Sequence, residues 1–573
     1  MLRHIARRAA AAPVPLPCPA PSTSTTVIAS AAKRRNRTFS SSSRKGKDVE
    51  PSVPSASSSA PLLEISTLAN GVKVATDATP GHFVAAGVYV GAGSRFEWEG
   101  NSGSSHMMDR LAFKSTKHRT AEQVTTDIEA LGGQFLASTS REVIMYQASS
   151  YTHALPSVLS LLSDTVLHPE FSSEEVESQR QSAAWELQEI HSKPDMILPE
   201  LLYEVAFQGN TLGNPLLIGQ DRLQTINSQT VKDFRETWFK PDRIVVAGAG
   251  IPHEQLLELA NLHFSTLEPF NARQSASAAI AASAASAARN IPTHLLHSNS
   301  SSTRLRGKAP YATASTSFLS QTPSFEELAH ARPVYTGGVL HHTDRADSME
   351  FSHLYVGYEG LSINDPDIYA LATLQMLLGG GSSFSAGGPG KGMFSRLYTN
   401  LLNRYHDVEH CSAFHHCYLD TGLFAVCISV NPHFIGRAPY LIAEQLHSLV
   451  ASGLGVGSRR GGITAMELAR ARNQLKSSLV MALESRMVQV EDLGRQVLAH
   501  GHKVSIEEML DKIAAVSLAD LHRVARRIFT PSTQKDALVD GEVRSGEPSI
   551  LAAGKLDGLP DVRDVLKSYG LAP

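Results

Sequence analysis

Cysteine is scarce, with four residues in a chain of 573. Cys18 falls in a basic leader, which leaves Cys411, Cys417 and Cys427. An odd set of three excludes a disulfide framework and fits a reducing compartment. No run of 18 or more apolar residues occurs, so no membrane-spanning helix is predicted. Acid is missing altogether from residues 1–47, which carry ten Lys or Arg among many Ser and Ala. That composition is the one of a mitochondrial transit peptide, and the lack of an apolar core segment excludes a secretory signal. Residues 1–12 can form a short basic amphipathic helix. The stretch Arg37-Thr38-Phe39-Ser40 reads as a cleavage region, so the mature chain is expected to begin between Ser40 and Asp48.

Without residues 1–47 the chain holds 42 basic against 55 acidic residues, a net charge of −13. Such a balance argues against a nucleic-acid partner and suits a basic one. Acid is also absent from residues 271–324, which are rich in Ser and Ala and carry Arg273, Arg289, Arg304, Arg306 and Lys308. Too few large apolar residues stand there to build a core. Residues 271–332 are therefore read as a low-complexity, disordered insertion between two folded halves.

Those halves, residues 63–270 and 333–573, repeat one order of patterns. Short strands at 71–76 and 84–91 open the first, and the run 354–358 matches the second of them. A long helix at 173–190 has its counterpart at 464–483, and a strand at 243–248 closes the first half. The fold class expected is α/β (α+β): two structurally similar domains, each a mainly antiparallel sheet with helices packed on one face. The stretch 410–417 alternates Cys411, Ala413, His415 and Cys417 against Phe414 and His416, which reads as a strand and matches no standard zinc spacing.

Glycine is concentrated in one place. Residues 379–392 read GGGSSFSAGGPGKG, seven glycines in fourteen positions. Inside a folded domain such a segment serves positive φ, close approach of backbone to a ligand, or movement. Asp365-Pro366 looks like a helix start, Leu371, Leu374 and Leu378 share a helix face, and Gly379 ends it. Met393, Leu397 and Leu401 restart helical spacing, so the loop is expected to join two helices. It is no phosphate loop, because Gly392 follows Lys391 where Ser or Thr is required and no strand leads in.

A helix is also expected over residues 105–116, with His106 and Arg110 on one face. The inverted zinc-peptidase motif H-x-x-E-H places two imidazoles and a catalytic Glu on such a face. Here His106 remains, Asp109 stands in place of Glu, and Arg110 in place of the second His. A guanidinium offers donors only and cannot ligate zinc. Glu186, on the later long helix, is the distal acid that could complete such a site. With Arg110 present, an Arg110–Glu186 ion pair is expected instead.

The segment GGGSSFSAGGPGKGMFSRLY at 379–398, Leu483-Glu484-Ser485-Arg486 and the run 491–498, EDLGRQVL, resemble the alpha subunits of the mitochondrial processing peptidase. These are non-catalytic members of the pitrilysin-type family. Residues 112–116 and Tyr335-Thr336-Gly337-Gly338 agree, and the resemblance covers roughly 63–270 and 333–560. It implies no catalytic residue and no metal in this chain, and a zinc-bearing beta subunit as partner in a heterodimer. It also implies presequence binding through Gly379, Gly380, Gly381, Ser382, Ser383, Phe384, Ser385, Gly387, Gly388, Gly390, Lys391 and Gly392. Asp407, Glu409, Asp420 and Glu359 are candidate acidic contacts for the basic presequence. The implied location is the mitochondrial matrix, with association to the inner membrane left open. Two other readings stand beside it: a structural core protein of the respiratory cytochrome bc complex, which shares the fold, and an autonomous zinc peptidase, which Arg110 opposes.

Overall fold

Alternating apolar residues at period two build the strands, and their order repeats. The computed structural model describes residues 62–208, 211–268, 323–343, 349–383, 392–451, 462–530 and 547–573. In the first half β1 (Leu63–Thr67), β2 (Lys73–Asp77), β3 (Phe83–Val90), β4 (Gln134–Thr139), β5 (Ile144–Tyr151) and β6 (Ile244–Ala249) lie in the order β1-β2-β6-β3-β5-β4. In the second, β7 (Gly338–Thr343), β8 (Ser352–Gly360), β9 (Gly380–Ser382), β10 (Val408–Cys417), β11 (Gly422–Val430) and β12 (Ser549–Gly554) lie in the order β7-β12-β8-β11-β10-β9. One pair in each sheet is parallel, β2 with β6 and β7 with β12, and the other pairs are antiparallel. The two halves are thus one topology used twice. Each adds a strand of its own at the edge, β1 in the first and β9 in the second.

The helices that matter here are α1 (Ser104–Arg110), α2 (Leu155–Leu167), α3 (Ser173–His191), α4 (Pro194–Phe207), α5 (Ile368–Leu378), α6 (Ala438–Val450), α7 (Ala465–Leu483) and α8 (Arg486–His500). Helix α2 covers one face of the first sheet, and α6 covers one face of the second. The opposite faces are closed by exchange. Leu198, Leu202 and Ala206 of α4, a first-half helix, join Tyr355, Leu423, Leu551 and Ala553 of the second sheet in one apolar cluster. Val490, Leu493 and Val497 of α8, a second-half helix, pack on Ala75, Ala85, Tyr89, Met145 and Val245 of the first sheet. Each sheet therefore carries its own helices on one face and a lent helix on the other.

A polar seam joins the halves beside these helices. Arg95 is buried between Glu142 of the first half and Asp420 of the second, with Asp420 at 2.6 Å. The Arg141 guanidinium lies 3.7 Å from the centre of the Tyr203 ring. The Tyr418 hydroxyl donates to the Tyr203 hydroxyl, which donates in turn to His416 Nδ1, both at 2.7 Å. Burial lowers the His416 pKa to about 4, so its ring is neutral and free to accept.

Three sequence expectations need correction. The helix begun at Ser104 ends at Arg110 instead of running to 116, because Leu111 caps it and Phe113 turns the chain with φ 56°. Helix α5 begins at Ile368 rather than directly behind Asp365, whose carboxylate instead holds the turn before it, accepting from Asp367 N at 2.9 Å while also pairing with Arg527. The last residues of the presumed insertion are ordered. Ser324 caps a short helix, Phe325–Ala329, and Phe325 packs on Trp238 with ring centroids 5.1 Å apart. The transit segment and residues 271–322 lie outside the described residues.

Candidate functional site

The first site is built by α1 and α3. Gly103 begins α1 with φ 86°, and a side chain there would run into Ile218. The buried Glu97 carboxylate accepts from Gly103 N at 2.8 Å and Ser105 N at 2.6 Å, so it satisfies amide groups at the helix start. Met107 and Met108 point into the core. That phase turns His106, Asp109 and Arg110 toward α3.

There Glu186 stands between an imidazole and a guanidinium. Arg110 Nη1 donates to Glu186 Oε2 at 2.5 Å, and His106 Nε2 lies 3.6 Å from the same oxygen. His106 Nδ1 accepts from Ile218 N at 3.3 Å, which leaves the proton of the neutral ring on Nε2, facing the carboxylate. The Arg110–Glu186 pair expected from the sequence is present, half-buried, with 23% and 17% of the two side chains exposed. Burial pushes the Glu186 carboxyl up, but the His106 imidazole facing it and the charge of Arg110 hold it below the ordinary value. Asp109 feels the same two neighbours, but they do not offset its burial. Its Oδ1 has no hydrogen-bond partner, and burial pushes its pKa up to about 6.

These residues do not fit a catalytic zinc. Such a site takes three protein ligands around one open position. Arg110 presents only N–H groups, and it engages the carboxylate that a metal would need. Among the described residues no group of three or more His, Cys, Asp or Glu is placed to hold a metal.

The second site is the glycine loop, whose stem is described and whose tip is not. Gly379 has φ 57° and Gly380 φ 110°. A β-carbon on Gly380 would fall 2.0 Å from Cys411 O, so this position admits only glycine. The loop joins α5 to a second, short helical segment at 396–402, but not directly. It first adds β9 to the sheet edge, with Gly380 opposite Ser412, Gly381 opposite Cys411 and Ser382 opposite His410. The return passes Gly392 and Ser395, whose Oγ accepts from Gly380 N at 3.1 Å, into a π-helical turn at Tyr398–Leu402. Phe384, Ser385, Gly387, Gly388, Gly390 and Lys391 lie outside the described residues.

Of the acidic candidates, Glu409 belongs to this stem: it accepts from Ser382 Oγ at 3.2 Å and from Ser383 Oγ at 2.6 Å. Asp420 does not, being held in the interdomain seam by Arg95. Asp407 accepts from Asn431 and faces His433 at 3.0 Å. Glu359 accepts from Thr421 at 3.0 Å. Sequence reasoning passed over Glu97 and Trp185. Trp185 had a visible signal, since it lies off the stripe Val176, Ala183, Leu187 and Ile190 that buries α3.

Comparison with known proteins fits this pair of halves. Residues 73–219 match the family model for insulinase (Peptidase family M16), and residues 225–475 match the model for the Peptidase M16 inactive domain. The mitochondrial-processing peptidase subunit alpha of Neurospora crassa is 43% identical over 81% of this chain and 82% of its own length. The chain belongs to the M16 peptidase family. Within M16 it also resembles the probable alpha subunit of Schizosaccharomyces pombe, 37% identical over 89% of this chain and 90% of that one. The human alpha subunit is 32% identical over 87% and 83%. A crystal structure of a protease from Helicobacter pylori shares the fold, with TM-score 0.64 at 18% identity, covering 86% of this chain and 99% of that one.

Proposed function

We propose that this chain is the alpha subunit of a mitochondrial processing peptidase, a substrate-recognising member of the M16 family that does not cleave by itself. The observation that carries the reading is Arg110. It stands where the family's motif has its second imidazole and draws Glu186 into an ion pair. Hydrolysis then belongs to a beta subunit, whose intact motif would hold zinc and activate water.

What this chain supplies is position. Strand β9 ends its sheet, and its outer backbone edge faces no strand among the described residues. An extended presequence is read as lying along that side, with Gly380 N already donated to Ser395 Oγ and the glycine backbone as the surface it meets. The glycines allow its backbone to approach closely, and Glu409 places acid at the stem. Basic presequences suit the net charge of −13 left once residues 1–47 are removed. The leader assigns the chain to the mitochondrial matrix. No helix among the described residues is long and apolar enough to cross a membrane.

The test is reconstitution. The chain alone should leave a transit-peptide precursor intact, and the chain with a beta subunit should cleave it. Deleting residues 384–391 spares β9 and its pairing, so it should leave the heterodimer assembled and abolish processing. Unchanged processing by the deletion variant would overturn the recognition role.

A further inference from the structure

Beside the Arg110–Glu186 pair an open pocket of about 660 Å³ is lined by Arg110, Ser182, Trp185, Glu186, Gln188 and Glu189. We propose that this pocket is a subsite for a cationic side chain of the bound peptide, with Trp185 as its aromatic wall. The inference rests on the reading of the chain as a presequence-binding subunit.

Spacing builds the pocket. Ser182, Trp185, Glu186 and Glu189 fall at i, i+3, i+4 and i+7 of α3, so one helix stripe faces it. Trp185 is 75% exposed, while Trp238 is wholly buried. An indole so exposed offers its face, and that face attracts cations, most strongly among the aromatic rings. The charge around it has the matching sign. Two carboxylates, Glu186 and Glu189, meet one guanidinium, Arg110, which is already held by Glu186 at 2.5 Å. The lining residues alone carry one net negative charge, which Lys193 at Glu189 offsets until a ligand cation takes its place. Lys193 pairs with Glu189 from the next turn, 43% and 63% exposed. A pair that open to water is weak. A ligand guanidinium, flat and with donors in a fork, can take the same carboxylate while stacking on the indole.

The pocket also explains why α3 keeps an exposed tryptophan off its buried stripe. It lies where the family's zinc motif would stand, so a surface inherited from a hydrolytic centre holds a substrate side chain without acting on it.

The test is equilibrium binding of a labelled arginine-bearing presequence peptide, and of the same peptide with neutral citrulline for arginine, to the full chain assembled with its beta subunit under chelation. The wild type should favour the arginine peptide. Trp185→Ala should reduce that preference by roughly 3- to 10-fold, Glu189→Gln should reduce it too, and Trp185→Phe should keep most of it. Trp185 is exposed, so the variants should fold. An unchanged preference in Trp185→Ala, with the peptide still bound, overturns the subsite and leaves the recognition role standing. No binding of either peptide to the wild type overturns the recognition role and the subsite with it.

Discussion

The ring of Tyr89 lies against Gly494: a β-carbon built on that glycine would sit 2.2 Å from Tyr89 Cδ2 and 2.3 Å from Cε2. The tyrosine is fully buried on β3 and donates to Gln147 Oε1 at 2.9 Å, so it cannot swing away cheaply. Glycine within a helix costs about 1 kcal/mol relative to alanine. Here close contact between the lent helix and the sheet justifies that cost. Gly494→Ala should destabilise the chain by about 1–2 kcal/mol, overpacking outweighing the gain in helix propensity. Urea unfolding would measure it, and a stabilised variant would refute the contact.

Arg110→Met removes the guanidinium and keeps its length. Glu186 would remain with His106 alone at 3.6 Å. Both partners of the pair are half-buried, so the loss should be about 1–3 kcal/mol at neutral pH, below the figure for a fully enclosed pair. The folded Glu186 pKa is depressed, so its contribution is present above the unfolded value of about 4.3 and fades as pH falls through the lower folded value. Denaturation of wild type and variant across pH should show the gap closing in acid.

Asp109 has the opposite sign. Its folded pKa, about 6, exceeds the unfolded value of about 3.9. The folded state holds the proton more tightly, so stability falls as pH rises between those values and stays lowered above them. Asp109→Asn removes the buried charge. It should stabilise the chain by about 2 kcal/mol at neutral pH and change little near pH 4. Equal effects at both pH values would show that the carboxyl is not perturbed.

Gly380→Ala should loosen the loop stem. It forces a side chain onto φ 110° and into Cys411 O, at a cost of about 1–3 kcal/mol. The amides of Ala413, which bonds Gly379 O at 3.0 Å, and Ser383, which bonds Glu409 O at 2.7 Å, should exchange hydrogen faster. Precursor processing should fall as well. Protection of both amides at the wild-type level would contradict the strand.

Much of this was legible in the chain. The alternation around Val84 and Leu354 gave two strands of matching place, and the lone His106 beside Arg110 gave the altered motif together with its partner. Local pattern could not give the edge strand β9, because three residues of Gly and Ser carry no alternation; pairing with β10 decides it. Nor could it show that α8 closes the first sheet. Val490, Leu493 and Val497 mark a buried helix face and say nothing of which half receives it. Phe325 escaped notice for the same reason, since its partner Trp238 is distant in sequence.

The lent helices also set an order of events during folding. Arg486, at the start of α8, donates to Thr79 O across 407 residues of chain. Until that stretch has arrived, the first sheet holds its apolar face at Tyr89, Met145 and Val245 open to solvent. Closing a loop so long is slow, and an uncovered sheet face invites association with other chains. A chain made from its N-terminus therefore carries that open face until nearly all of it is present. Neither half, expressed alone, would possess both covers for its own sheet.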